Sequence, residues 1–160
     1  MQAATRWRPQ LTMGLEKETA EHQRPVFPPI DLQAECDLVI EARCNLLLVG
    51  PLSVTNAMLE ALKPHLRGPL RQYKPKADVP VPQPRDGTLV LLNVARLNEK
   101  QQAQLLQWLD GFDERRRVQI VSTASEPLFS LVEAGAFLGD LYYRLNTVRM
   151  DLTPSSESNA

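Results

Sequence analysis

The stretch Asn45-Leu46-Leu47-Leu48-Val49-Gly50-Pro51 decides the fold of this chain. Its consecutive apolar side chains, closed by a Gly-Pro turn, make too short a run for a helix and lack the alternation of a strand with one wet face. They suit a strand covered on both faces, as in a parallel sheet. Thr88-Leu89-Val90-Leu91-Leu92 repeats this character after the turn Arg85-Asp86-Gly87. Both runs are therefore expected as central strands of one sheet, adjacent or nearly so.

Working outward, helices are expected between the strands. Residues 31–43 place apolar side chains at Leu32, Cys36, Val39 and Ile40, with Asp31 suited to cap the helix. Asn98-Glu99-Lys100-Gln101 reads as a capping box ahead of Leu105, Leu106, Trp108 and Leu109, and Gly111 offers a stop. Val118 to Ser122 predicts another strand, Ser125-Glu126-Pro127-Leu128 opens a helix ending at Gly135, and Thr147 to Leu152 is a last strand. Pro80, Pro82 and Pro84 exclude residues 79–85 from any central strand. Such alternation predicts an α/β layered sheet with right-handed crossovers.

Composition bounds the rest. A chain of 160 residues, 43% hydrophobic and 23% charged, fits one globular domain with material for a core. A formal net charge of −1 supplies no global attraction to nucleic acid or to an anionic membrane. No apolar run approaches the ~20 residues of a membrane span, and none follows Arg6 and Arg8 as in a secretion leader. Cys36 and Cys44 fit neither a disulfide framework nor a zinc spacing, so they read as reduced thiols in a cytoplasmic protein. Residues 1–30, with Pro9, Pro25, Pro28 and Pro29 and no apolar period, are expected as an arm or linker holding one short helix around Glu16 to Glu21. The domain then covers 31–152, and 153–160 is a small, polar tail expected to fray.

Asp140-Leu141-Tyr142-Tyr143-Arg144-Leu145-Asn146 resembles a signature of the AAA+ ATPase domain of sigma-54-dependent transcriptional activators. The resemblance extends from Asn45 to Leu152 and implies a P-loop NTPase-like parallel sheet sandwiched by helices. In that family the segment carries arginine fingers that reach across a subunit interface to a nucleotide. Leu46-Leu47-Leu48-Val49-Gly50 is similar to the strand and first glycine that introduce the phosphate loop, which should follow as Pro51 to Asn56. A working loop needs glycines to fold backbone N–H groups around phosphates and a lysine to neutralise charge. By the same resemblance Thr55 occupies the position of the last glycine and Asn56 that of the lysine. Gly87 to Val94 looks like the strand that ends in an Asp-Glu pair for Mg²⁺ and for the attacking water, and those positions hold Leu92 and Asn93. Thr123-Ala124-Ser125 stands where the family has a Thr-Asn sensor. Leu138 replaces the first arginine, and Arg144 stands alone at the second.

Larger parts also depart from the family. No Gly-Ala-Phe-Thr-Gly-Ala loop lies between Asn56 and Leu92, Gly135-Ala136-Phe137 echoes it in the wrong place, and no helical lid is expected after residue 152. The resemblance therefore implies a trimmed, degenerate AAA+ domain without catalytic residues, metal or bound cofactor. Gly50, Ser53, Thr55, Asn56, Leu92 and Asn93 would be vestiges of nucleotide binding. Asp140, Tyr142, Tyr143 and Arg144 would be the interaction candidates, facing a protein partner that is an intact AAA+ activator or a second copy. Arg144 has an equal alternative, an ion pair within its own chain. A competing function is an ATP-binding sigma-54-interaction domain, with ATP and Mg²⁺ as cofactors.

Other constellations carry less. Lys63, His65, Arg67, Arg71, Lys74 and Lys76 surround Tyr73 without an acid, which suits a solvated basic loop flanking a strand better than a nucleic-acid patch. Arg115-Arg116-Arg117 follows Asp113-Glu114 as a solvated turn. His22 and His65 form no metal spacing. Tyr142 and Tyr143 are expected to pack on a short helix.

Overall fold

The two apolar runs become β1 (Leu46–Val49) and β3 (Gly87–Leu91), buried along their whole length. They are joined by β2 (Leu70–Tyr73), β4 (Val118–Ala124) and β5 (Val148–Asp151) in one sheet of order β2-β3-β4-β1-β5, with every neighbouring pair parallel. One strand, β4, separates β1 from β3, which makes them near neighbours as predicted. The computed structural model of the chain describes residues 32–111 and 118–153. The expected arm, the Asp31 cap, the Arg115-Arg116-Arg117 turn and all but the first residue of the tail lie outside them.

Helices cover both faces, because a parallel sheet with short apolar strands must bury both sides. α1 (Gln33–Glu41) and α2 (Leu52–Leu62) lie on one side. There Cys36, Val39, Met58, Leu59 and Leu62 pack on Leu46, Leu48, Val90, Val121 and Met150. α3 (Glu99–Asp110), α4 (Leu128–Glu133) and α5 (Gly139–Leu145) lie on the other. There Leu105, Trp108, Leu128, Leu141 and Leu145 meet Leu47, Val49, Leu89, Leu91 and Ile120. Among the described residues no helix is long and apolar enough to cross a membrane.

The capping box is formed: Asn98 Oδ1 accepts the Gln101 N–H (2.8 Å), and Gln101 Oε1 accepts the Asn98 N–H (3.0 Å). α3 stops at Gly111. Three expectations shift. β4 runs on through Thr123 to Ala124, α4 begins at Leu128 behind Pro127 rather than at Ser125, and it ends at Glu133 with Gly135 at φ +75°. The basic segment is not only a loop, since Leu70–Tyr73 within it forms β2. The strand escapes an apolar reading because it is an edge, with Tyr73 its one buried residue.

A parallel connection needs a crossover, usually a helix. Between β2 and β3 the crossover is instead the extended, proline-bearing stretch 74–86, which buries Val81 and Pro84. Gln101 holds it: Nε2 lies 2.7 Å from the Lys76 carbonyl and 3.0 Å from both the Val79 carbonyl and the Tyr73 hydroxyl. The start of β2 is pressed onto β3 so closely that a Cβ on Gly87, already at φ +83°, would stand 2.2 Å from the Pro69 carbonyl oxygen. Only glycine fits there.

Candidate functional site

The residues expected as nucleotide vestiges converge at the C-terminal ends of β1, β3 and β4. The Gly50 N–H donates to the Ala124 carbonyl (3.0 Å), and Leu152 N–H donates to the Val49 carbonyl (2.6 Å). Leu152 sits so close that a Cβ on Gly50 would meet it at 3.1 Å. The strand end is thus walled by chain on both flanks.

The expected loop from Pro51 to Asn56 is not a loop. Pro51 is the N-cap of α2, which begins at Leu52, and its carbonyl accepts the N–H groups of Val54 (3.0 Å) and Thr55 (2.9 Å). Pro51 has no N–H and supplies a φ compatible with helix entry, so the chain coils directly after the strand. Ser53, Thr55 and Asn56 therefore occupy the first turns of a helix. Ser53 and Asn56 are exposed, and Thr55 is buried with its hydroxyl donating to the Leu52 carbonyl (3.2 Å). A phosphate cradle needs several consecutive N–H groups converging on one point. Here Val54 and Thr55 have spent theirs on Pro51, which corrects the expectation of a retained loop.

At the end of β3, Leu92 packs its side chain against the core on the α1 and α2 side. Asn93 adopts the left-handed conformation, φ 55°, and its N–H donates to Thr123 Oγ1 (2.9 Å). Its Oδ1 is buried without a hydrogen-bond partner, as is Ser122 Oγ on β4. Thr123 thus orients the turn after β3, while Ser125 stands exposed beyond the strand. Among the described residues no three histidine, cysteine, aspartate or glutamate side chains are grouped to hold a metal.

The second candidate group is on α5. Tyr142 is buried against the core, while Tyr143 is 67% exposed, so only the first of the two tyrosines is a packing residue. Asp140 is exposed. The Arg144 guanidinium reaches Asp110, the last residue of α3, at 2.5 Å, with both side chains about half exposed at 51% and 54%. The Arg144 carbonyl accepts from Asn45 Nδ2 (3.0 Å), and Asn45 Oδ1 accepts the Ile120 N–H (2.9 Å). Asn45 precedes β1, so Arg144 lies at the opposite end of that strand from Gly50, roughly 16 Å away at the rise of an extended chain. It has no access to the Gly50 corner of its own subunit.

Beside Arg144 is a surface that sequence reasoning missed. Phe129, Leu138 and Tyr143 leave apolar area in solvent, and Tyr142 stacks at 6.1 Å from Phe129 and 5.3 Å from Tyr143 between ring centroids. Leu138 is held in place because its N–H donates to Gln102 Oε1 (2.9 Å). Phe129 could have been found only by knowing that α4 is short and turns one face outward, which no spacing in the sequence shows.

A profile of the sigma-54 interaction domain matches residues 30–154. The transcriptional regulatory protein TyrR of Salmonella typhimurium is 31% identical over an alignment covering 45% of this chain and 16% of the TyrR chain. Among solved structures, NtrX from Brucella abortus superposes with a TM-score of 0.62 at 19% identity, covering 77% of this chain and 35% of that one. The P-loop NTPase domain of a sigma-54 activator from E. coli superposes at 0.60 and 20% identity, covering 79% of this chain and 94% of that one. The sheet is thus that of P-loop NTPase domains, and the chain spans only a small part of its curated relatives' length.

Proposed function

This chain belongs to the sigma-54 interaction domain family, and from that premise we propose that it is a non-catalytic member, an interaction or regulatory module for a protein partner. The partner, an intact AAA+ activator or a second copy of the chain, is engaged through α4 and α5 around Arg144. One observation carries this reading. The helix α2 starts at Leu52, so the segment that should wrap phosphates is wound into a helix in which the Val54 and Thr55 N–H groups bond to Pro51. The replaced lysine and acids, at Asn56, Leu92 and Asn93, point the same way. The exposed apolar side chains of Phe129, Leu138 and Tyr143 support an interface on α4 and α5.

Nucleotide titration tests it. A ligand at about one hundred times its Kd stabilises a native state by about 2.7 kcal/mol. Millimolar Mg²⁺-ATP is expected to leave the Tm unchanged and to release no phosphate. A second reading, ATP binding in sigma-54-dependent transcription, is favoured by NtrX, which has this fold and was crystallised with ADP and with ATP. A clear upward shift in Tm with ATP would replace the first reading by the second.

A further inference from the structure

The β2 edge carries a second, independent surface. Among the described residues β2 pairs with β3 on one side only. The Pro69 and Tyr73 carbonyls accept N–H groups from Thr88 (3.1 Å) and Leu92 (2.9 Å). Because alternate residues of a strand direct their backbone groups to opposite sides, those of Leu70 and Gln72 face outward, free to pair with another strand. Leu70 is 39% exposed and adds an apolar contact. Pro69 and Pro75 bound the strand and limit any added ladder to a few residues.

The charge around this edge is one-sided. Arg67, Arg71, Lys74 and Lys76 are all exposed. Among the described residues the ion pairs engage Lys63, Arg144 and Arg149, and none of these four cations. Asp78 and Asp86, in the stretch that follows β2, pair with none of them either. We propose that β2 receives a short extended peptide bearing acidic side chains as an added strand. Leu70 and Gln72 supply the backbone ladder, and Arg67, Arg71 and Lys74 face the carboxylates. Nucleic acid suits the surface less, because its one aromatic, Tyr73, is buried and its hydroxyl donates to the Val79 carbonyl (2.6 Å). That ring offers no stacking platform for a base.

Fluorescence anisotropy on the full chain, with a labelled peptide of alternating glutamate and valine, tests the proposal. Saturable binding is expected, absent for the lysine-valine counterpart and weakened at least about tenfold, or about 1.4 kcal/mol, in Arg67→Glu/Arg71→Glu. Gln72→Pro should abolish it by removing an outward N–H, while Gln72→Ala retains it. Amide exchange on the wild-type chain supplies a readout that survives misfolding of the proline variant: the Leu70 and Gln72 N–H groups should slow when peptide is added. Unchanged exchange at those two amides, or undiminished binding by the charge-reversed variant, overturns the proposal. Tighter binding of an oligothymidylate that displaces the peptide overturns it in favour of nucleic acid, and peptide-independent dimerisation through β2 overturns it in favour of a second copy.

Discussion

The Gly50–Asn56 corner and the Arg144 end of α5 stand at opposite ends of β1, and their commitments differ in kind. At the corner the backbone itself is occupied: Pro51 caps α2, Val54 and Thr55 bond back to it, and Leu152 closes over Gly50. Turning the Val54 and Thr55 N–H groups onto a phosphate there means unwinding the first turn of a helix. At the other end Arg144 is tied by one half-exposed ion pair to Asp110. Such pairs contribute about 0–1 kcal/mol and are screened by salt. A partner carboxylate can take Arg144 over at small cost. Chemistry that needs those backbone groups must first unwind the helix, whereas a side chain on a surface helix stays available.

The largest way to break this comparison is to remove the strand frame that holds the two ends apart. Leu91 is fully buried in β3 between the layers, so Leu91→Asp would bury an unpaired charge and cost at least about 3 kcal/mol. Chemical denaturation measures it, and a stability within about 1 kcal/mol of wild type would remove β3 from the core.

A sharper test restores the side chains without the backbone. Asn56→Lys, Leu92→Asp and Asn93→Glu together return the family's charged groups. The triple variant should lose about 1–3 kcal/mol, chiefly because Leu92→Asp desolvates a carboxylate. Calorimetry should still find no ATP binding, since α2 continues to fill the place of the loop. Recovered binding would show that the side chains alone were missing.

Arg144→Ala carries a smaller effect on stability, at most about 1 kcal/mol. Association should fall instead, read by light scattering and by pull-down against wild type. A variant that loses stability but keeps its partners would leave Arg144 as an intrachain ion pair.

The smallest perturbation uses the two thiols. Cys36 is buried on the inner face of α1, and burial, followed by the nearby Asp37 and Glu35 carboxylates, pushes its pKa up to about 12. Cys44 is partly exposed beside Asn45, at the Arg144 end. Alkylation near neutral pH should label Cys44 well before Cys36, as mass spectrometry of the modified peptides would show. Equal rates would mean that the α1 and α2 layer opens readily.

Much of this fold is legible in particular residues. The runs at 46–49 and 88–92 had to be strands because only a doubly covered sheet tolerates them, and Asn98 with Gln101 wrote its capping box in side chains. β2 was not legible. An edge strand of four residues buries only Tyr73, and its exposed Leu70, Arg71 and Gln72 look like any basic loop. The candidate site divides in the same way. The family pattern located Gly50 to Asn56 and Arg144, but the conformation of the first depends on Pro51 acting as a helix cap and on Leu152 arriving from a distant part of the chain. The Asp110 partner of Arg144 is a contact between the ends of two helices, which no local spacing encodes.

The Asn45 side chain has a mechanical consequence. It grips the Arg144 carbonyl with its amide nitrogen and the Ile120 N–H with its oxygen, and so rivets the end of α5 to the strand in the middle of the sheet. A displacement of α5 at Arg144 is therefore felt at Ile120 through a single side chain, and replacing that amide would uncouple the helix end from the central strand.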